Sequence, residues 1–460
     1  MNVVGRTYDR WVKQLEEKGL ADQTYRLRYH VQPPVGWLND PNGLSQFHGL
    51  YHFFFQYAPF GVDGSDVKFW GHATSRDMIH WDYHDVAIYA DSPQDIHGVF
   101  SGGAFVEDGK LELFFTGNVK LAGDYDFITA GREGNTLYMA SDDGFHFGHK
   151  SCLLHAGEYP AQYSCHIRDP KVWKEDGRYW MLLGARSRDD RGAVLVYRSP
   201  DKKQWQLIRE VTGNRSFGYM WECPDLIRLD GERFLSMSPQ GVGHQSHRFQ
   251  NVYASGYLPF TDGELDVDRF EEWDYGFDFY APQSFVDEAG RTILVGWAGL
   301  PDIEYTNPTT QLGWQHCLTT PRQLSLHDGK ICQWPVEEFE RLRKTRQVLE
   351  DELTIDQATF DLEIETTQGD FTLTINELIE LRFSDGLLTL SLDDRAGYGR
   401  GQRFCECDRI ETLRLLADTS LLEIYVNGGE KVLTTRFYIA ETQRRIKLTG
   451  AVREAVLWEI

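Results

Sequence analysis

Three carboxylate residues occur in short motifs spread over the first half of the chain. Asp40 lies in WLNDPNG (37–43), Asp169 in RDP (168–170) and Glu222 in WECPD (221–225). Each is followed by a proline within two positions, and an acidic residue beside proline is by itself typical of a turn. If the fold brings the three side chains together, each negative charge disfavours the next, so at least one pKa must rise.

Two converging carboxyl groups are suited to cleaving a glycosidic bond. One carboxylic acid protonates the leaving oxygen, and a second carboxylate attacks or stabilises the oxocarbenium-like centre. We assign Glu222 as the acid, because its side chain is longer and because Trp221 and Pro224 are expected to surround it. A carboxyl gap of about 5–5.5 Å favours retention of configuration, and a gap of about 6.5–9.5 Å favours inversion.

The elements that position these residues follow from an internal repeat. Five segments share a short apolar strand, a turn centred on glycine and a second, strongly apolar strand; they begin at Asp40, Ser101, Asp169, Glu222 and Ala281. A looser repeat of a polar turn, an aromatic residue and a strand lies between them. Each unit then holds about four strands, which is the content of one propeller blade. The repeat predicts an all-β fold with a five-bladed β-propeller, and a large irregular sandwich is the alternative. The five segment openings would meet at one mouth of the central channel.

The repeat ends near residue 335, where a charged stretch leads into alternating strands. A hairpin signal at Asn427, Gly428 and Gly429 lies among these strands, and the pattern predicts a C-terminal β-sandwich. We predict an N-terminal helical segment over 1–23, the propeller over 24–338, a linker over 339–352 and the sandwich over 353–460. The sandwich carries no evident catalytic set, and its expected role is to brace the propeller.

Composition excludes several classes of function. The net charge of −23 over 460 residues argues against binding to nucleic acid or to an anionic membrane. No apolar run is long enough to span a membrane, and the N-terminus lacks the apolar core of a signal peptide. The seven cysteines show no disulfide framework, so we expect reduced thiols and a cytoplasmic protein. His244 and His247 have no evident third ligand; neither a metal nor another cofactor is predicted.

Taken together, the three carboxylate motifs resemble the signature boxes of glycoside hydrolase family 32, the invertase and β-fructofuranosidase family. Their order and spacing match, and the resemblance extends over essentially the whole chain. Further matching segments are QYAPFG (56–61), FWGHATS (69–75), FSGG (100–103), GFDFYAPQ (276–283) and TPRQL (320–324).

The resemblance implies a role for each matching residue. Asp40 corresponds to the nucleophile that forms a fructosyl-enzyme intermediate, Glu222 to the acid/base, and Asp169 to the transition-state stabiliser that binds two fructose hydroxyls. It also implies retention of configuration. The residues expected to bind the sugar are Asn39, Gln56, Trp70, Phe100, Ser101, Arg168, Tyr280 and Trp297. Asp278 belongs to the same segment as Tyr280 and is expected near the site. Arg132 is interpreted as a surface residue, with contact to a second sugar or a phosphate as the alternative.

The sequence therefore predicts a β-fructofuranosidase that releases terminal, non-reducing β-fructose from a small-molecule sugar. Sucrose, sucrose 6-phosphate and short fructo-oligosaccharides are the expected substrates. Fructosyl transfer and exo-cleavage of longer fructans are alternatives, and a non-catalytic carbohydrate-binding propeller would have lost one of the three carboxylates. A homodimer is a further expectation, for which the sandwich would supply the surface.

Overall fold

A computed structural model of the chain describes residues 3–19, 22–261 and 263–460. Helix α1 (Val3–Gly19) precedes the first strand, within the segment 1–23 that was predicted to be helical. Residues 1, 2, 20 and 21 of that segment lie outside the described residues. Val12 of α1 is buried against the first blade, and Lys13 forms an ion pair with Asp85 at 3.0 Å. No helix in the described part of the chain is long and apolar enough to cross a membrane.

Twenty-one strands form five sheets arranged as the blades of a propeller. In chain order these strands are β1 (Gly36–Phe47), β2 (Leu50–Ala58), β3 (Phe69–Ser75), β4 (Asp82–Ile88), β5 (Val99–Glu107), β6 (Lys110–Lys120), β7 (Arg132–Ser141), β8 (Ser151–Leu154), β9 (Tyr163–Glu175), β10 (Arg178–Ser187), β11 (Gly192–Ser199), β12 (Gln206–Val211), β13 (Met220–Leu229), β14 (Glu232–Gln240), β15 (Gly256–Pro259), β16 (Glu271–Glu272), β17 (Tyr280–Val286), β18 (Thr292–Trp297), β19 (Trp314–Gln315), β20 (Arg322–His327) and β21 (Lys330–Pro335). Short 3-10 helices lie at Ala156–Glu158, Val267–Arg269, Pro308–Leu312 and Glu337–Leu342.

The five-bladed propeller predicted from the repeat is confirmed. Each blade is an antiparallel sheet whose innermost strand is β1, β5, β9, β13 or β17, and β19 joins the first blade by pairing in parallel with β1. Each innermost strand contacts the next, and β17 contacts β1, so that the ring closes. The five residues that open the repeated segments, Asp40, Ser101, Asp169, Glu222 and Ala281, all lie in these inner strands.

Tight turns at the glycines connect the first and second strands of the blades. In four of them both turn residues have positive φ: His48 and Gly49, Asp108 and Gly109, Asp176 and Gly177, and Asp230 and Gly231. Positive φ at both positions is the type I′ geometry, whose twist matches that of the flanking strands. Glycine at the second turn position adopts the positive φ easily, and the tight turn fixes how the first and second strands of the blade pair.

The C-terminal domain is a β-sandwich, as predicted. Its strands are β22 (Arg346–Val348), β23 (Glu352–Ile355), β24 (Phe360–Ile375), β25 (Ile379–Ser384), β26 (Leu387–Leu392), β27 (Gln402–Glu406), β28 (Thr412–Ala417), β29 (Leu421–Val426), β30 (Lys431–Arg436) and β31 (Arg444–Glu459), with helix α2 (Asp394–Gly397) after β26 and a 3-10 turn at Asn427–Gly429. The long strands β24 and β31 pair along most of their length, and the register of β24 breaks between Thr366 and Phe371. The part of β24 before this break pairs with β28, and the part after it pairs with β25. The stretch 339–352, predicted as a linker, includes β22, which pairs with β31 and so belongs to this sheet.

Buried ion pairs join the sandwich to the propeller. Arg400 of the sandwich donates two hydrogen bonds of 2.8 Å to Asp278 of the propeller, and both side chains are buried. Burial opposes the ionisation of Glu423, but Arg322 and His30 outweigh it and lower the pKa of Glu423 to about 2. Asp278 is therefore an interface residue that lies two positions before Tyr280, and its own carboxylate is engaged by Arg400.

We expect Arg400→Ala to lower the free energy of unfolding by about 3–5 kcal/mol, because it leaves Asp278 as an uncompensated buried charge. Urea unfolding measures the change. The matched control is Arg445→Ala, which breaks the exposed pair with Glu352 and should cost about 0–1 kcal/mol. Equal, small effects of the two variants would contradict the structural role assigned to Arg400.

Candidate active site

The inner strands are irregular at the positions where the chemistry would lie. Register shifts occur between Leu38 and Pro41 in β1, between Phe100 and Gly102 in β5, between Glu222 and Asp225 in β13, and between Tyr280 and Gln283 in β17. Asp169 in β9 has a φ of 64°, an uncommon value for a residue other than glycine. Such bulges redirect a side chain from the sheet face, here into the channel. Proline within a strand is confined to edges and bulges, so Pro41, Pro170, Pro224 and Pro282 are the sequence signal for them.

The inner strands surround a cavity of about 460 Å³, which we call the central cavity. Its lining includes ten of the eleven residues predicted for the site: Asn39, Asp40, Gln56, Phe100, Ser101, Arg168, Asp169, Glu222, Tyr280 and Trp297. The three carboxylates come from blades one, three and four, so only the closed ring brings them together.

Trp70 is the predicted site residue that the cavity does not include. Its side chain is fully buried and its indole N–H donates to the backbone oxygen of Phe100 at 3.1 Å. Trp70 therefore lies behind the wall and supports Phe100, because strand β3 is two strands away from the channel.

Asp40 is held by three side-chain donors. Ser101 donates its hydroxyl to Oδ2 of Asp40, Asn39 donates to Oδ1 at 3.2 Å, and the thiol of Cys223 lies 3.7 Å from Oδ2. Gln56 in turn donates to the hydroxyl of Ser101. Burial and the charge of Glu222 raise the pKa of Asp40, although the bonds from Ser101 and Asn39 oppose the rise. These donors fix the direction of the carboxylate.

Asp169 is the most perturbed of the three carboxylates. Burial raises its pKa to about 7, with the charges of Glu222 and Asp40 adding to the rise and Arg168 opposing it. Its Oδ2 accepts from the backbone N–H of Cys223 at 2.9 Å. The expectation that at least one carboxylate has a raised pKa is thus met at Asp169 and Asp40.

Cys223 lies between these two aspartates, with its sulfur 3.7 Å from Oδ2 of each. Burial and the nearby carboxylates raise the pKa of its thiol well above the usual value. The sulfur therefore keeps its proton as a donor, a role that the sequence analysis missed.

Glu222 is surrounded by polar partners. Arg168 donates to Oε1 at 2.5 and 3.2 Å, while Gln240 and Tyr280 each donate to Oε2 at 2.7 Å. Arg168 also lies 3.9 Å from Asp169, so one guanidinium group links two carboxylates.

The expectation that Trp221 surrounds the carboxyl of Glu222 is wrong. Successive side chains of a strand point to opposite faces, and Trp221 packs into the apolar core around Val194 and Leu235 instead.

The cavity also contains residues that the sequence analysis missed or treated otherwise. Gln240 is one: it is the last residue of β14, and no local motif surrounds it in the sequence. Four basic side chains, Lys68, His97, Lys120 and Arg132, line the same cavity, and we call them the basic rim. Arg132 is therefore not simply a surface residue. Within residues 3–19, 22–261 and 263–460, no cluster of three or more His, Cys, Asp or Glu side chains is arranged to hold a metal ion.

A five-bladed propeller whose channel gathers carboxylates from separate inner strands is the architecture of a glycoside hydrolase. The model of the glycosyl hydrolases family 32 N-terminal domain matches residues 30–335, and that of the family 32 C-terminal domain matches residues 338–456. The chain therefore belongs to glycoside hydrolase family 32.

Individual relatives are similar over nearly their whole length. The sucrose-6-phosphate hydrolase of Bacillus subtilis (strain 168) is 36% identical over 437 residues, which cover 90% of this chain and 89% of that protein. The raffinose invertase of Escherichia coli is 38% identical over 457 residues, which cover 93% of each chain. The solved structure of sucrose-6-phosphate hydrolase from Lactobacillus gasseri has a TM-score of 0.87 at 30% identity, covering 98% of this chain and 96% of that one.

The raised pKa of Asp169 predicts a pH-dependent cost to stability. Because the folded pKa of about 7 lies above the usual pKa of an aspartate, about 3.9, the folded state binds the proton more tightly, and stability falls as the pH rises between these two values. We expect Asp169→Asn to raise Tm by about 1–3 °C at pH 8, while activity is lost. The gain should shrink at pH 5, where the wild-type carboxyl is protonated; a gain of the same size at both pH values would contradict the assignment.

Proposed function

We propose that the chain is a β-fructofuranosidase that releases terminal, non-reducing β-fructose with retention of configuration. The observation that carries the proposal is the convergence of Asp40, Asp169 and Glu222 in one cavity, where hydrogen-bond donors hold each carboxylate. Family membership sets the reaction class, and the roles below are assigned to residues of this chain.

In the first step, Glu222 gives its proton to the glycosidic oxygen while an oxygen of Asp40 attacks C2 of the fructosyl unit. The bond from C2 to the leaving sugar breaks, and a covalent fructosyl-Asp40 ester forms. In the second step, Glu222 takes a proton from water, whose oxygen attacks C2 and releases Asp40. Two displacements at C2 retain the configuration.

Recognition of the fructosyl unit falls to the remaining lining residues. Asp169 accepts from sugar hydroxyls, and Arg168 fixes the separation of Asp169 from Glu222. Trp297 lies edge-on to Trp37, with ring centroids 5.6 Å apart, and both side chains line the cavity. Flat aromatic side chains of this kind suit the apolar faces of a sugar.

The basic rim favours a phosphorylated leaving sugar, with sucrose 6-phosphate as the leading candidate. None of its four side chains forms an ion pair with a carboxylate in the described part of the chain, and Nε of Arg132 is buried without a hydrogen-bond partner. Burial lowers the pKa of Lys68 to about 8. A bound phosphate would stabilise its protonated form and pair with Arg132.

Other expectations from the sequence remain proposals. All seven cysteines are free thiols, which supports a reducing compartment such as the cytoplasm. A homodimer, transfer to a sugar acceptor and cleavage of short fructo-oligosaccharides stay predictions. Comparing kcat/KM for sucrose, sucrose 6-phosphate, kestose and inulin ranks the substrates.

We expect Asp40→Asn to lower kcat by at least about a thousandfold, because an amide is a poor nucleophile. Glu222→Gln should lower kcat on sucrose by about a hundred- to ten-thousandfold, because proton transfer to the leaving oxygen is lost. For the wild type, NMR in the first minutes of the reaction should show β-fructofuranose. Initial formation of the α-anomer, or wild-type activity of either variant, would refute the mechanism.

Arg132→Ala tests the basic rim. Loss of a charge-assisted hydrogen bond is worth about 1.5–3 kcal/mol, so KM for sucrose 6-phosphate should rise at least about tenfold more than KM for sucrose. Lys110→Ala, which removes an exposed partner of Asp142 on the same blade, is the matched control. Equal changes for the two substrates would show that the rim does not read the phosphate.

A further inference from the structure

Two donors that hold Glu222 belong to segments in contact with the C-terminal sandwich. Gln240 is the last residue of β14, and Tyr280 is the first residue of β17; both donate to Oε2 of Glu222 at 2.7 Å. Each donor therefore adjoins an irregular segment, residues 241–255 after Gln240 and residues 273–279 before Tyr280. The position of the donors depends on what holds these segments.

The segment after Gln240 docks on strand β27 of the sandwich. The side chain of Gln250 donates to the backbone oxygen of Phe404 at 2.7 Å and accepts from its backbone N–H at 2.9 Å. Three residues later, Tyr253 forms a backbone bridge with Gln240, and its ring centroid lies 6.0 Å from that of Tyr280. The sandwich thus reaches both donors through one loop.

Arg403 of β27 contacts both segments at once. It donates to Oδ1 of Asn251 from Nε at 3.0 Å and from Nη2 at 2.7 Å. Asn251 connects Arg403 to the second segment, since its side-chain amide donates to the backbone oxygen of Gly276 at 2.9 Å. The guanidinium of Arg403 also lies 4.0 Å from the ring centroid of Phe277, three residues before Tyr280.

We propose that Arg403 is a positioning residue for the reaction: it holds the loop of Gln240 and the segment of Tyr280 in register, and so orients the carboxyl of Glu222. The sandwich then takes part in proton transfer to the leaving group as well as bracing the propeller. Oε1 of Glu222 is held by Arg168 and Oε2 by the two donors, so a shift of the donors turns the carboxyl. Misplacement of a catalytic group by about 1 Å costs up to about a hundredfold in rate.

The inference rests on the acid/base role proposed for Glu222, and the leaving group separates the two. Sucrose needs a proton on its leaving oxygen, whereas β-fructosyl fluoride releases fluoride without one. We expect Arg403→Ala to lower kcat/KM on sucrose by about ten- to a hundredfold and to leave kcat/KM on the fluoride unchanged, because kcat/KM reports the first displacement and not the hydrolysis of the fructosyl-enzyme that both substrates share. Asn251→Ala should give the same split, and Arg403→Lys should restore part of the sucrose activity. Arg445→Ala, an exposed arginine of the same sandwich, should change neither rate.

An equal loss of kcat/KM on both substrates would mean that Arg403 does not act on proton transfer to the leaving group, and it would overturn the inference. Wild-type rates on both substrates would overturn it as well. Comparison of the two substrates in one preparation is independent of the folded fraction, which thermal unfolding also measures. If Glu222→Gln does not lower activity on sucrose more than on the fluoride, the proposed function fails. If Glu222→Gln shows this difference and neither Arg403→Ala nor Asn251→Ala does, only the positioning role fails.

Discussion

Repulsion among three carboxylates in one buried cavity is the unfavourable interaction that the rest of the structure must offset. Asp40, Asp169 and Glu222 cannot share a low-dielectric site unless each charge is offset. Arg168 links Asp169 to Glu222, while a hydroxyl, an amide and a thiol hold Asp40. The compensation is incomplete, since burial still raises the pKa of Asp169 to about 7. The unfavourable electrostatic free energy that remains must be offset by favourable interactions elsewhere in the fold, as is common at functional sites.

The propeller provides such interactions through its closed ring and the sandwich through buried ion pairs. Bulges in the inner strands turn side chains into the channel, whereas the second and third strands of each blade pair without a register shift. Within each sheet, the regularly paired strands provide rigidity and the bulged inner strand carries the side chains of the site. At the domain interface Asp278 is bound by Arg400 only two residues before Tyr280, so interface and site lie on the same short stretch of chain.

Charge is distributed unevenly over the molecule. The chain carries a net charge of −23, and such a field repels anionic substrates at long range. Screening limits this repulsion to about 8–10 Å at moderate ionic strength. The basic rim lies within the central cavity itself, where local pairing outweighs the screened field of the distant surface. A negative protein surface and recognition of a phosphorylated sugar are therefore compatible.

The sequence alone determined the blade count, the two-domain order and the three carboxylates, because a turn glycine recurs in every blade, a proline marks the inner strand of four of the five blades, and both act over a few residues. Contacts between distant segments were decided by tertiary structure only. Gln240 has no local motif, Trp70 is turned away from the channel by its place in β3, and the surroundings of Glu222 are polar because Arg168 and Tyr280 arrive from neighbouring blades. Strand alternation and ring closure set these contacts. A short motif does not encode which face a bulged strand presents or which distant strands meet.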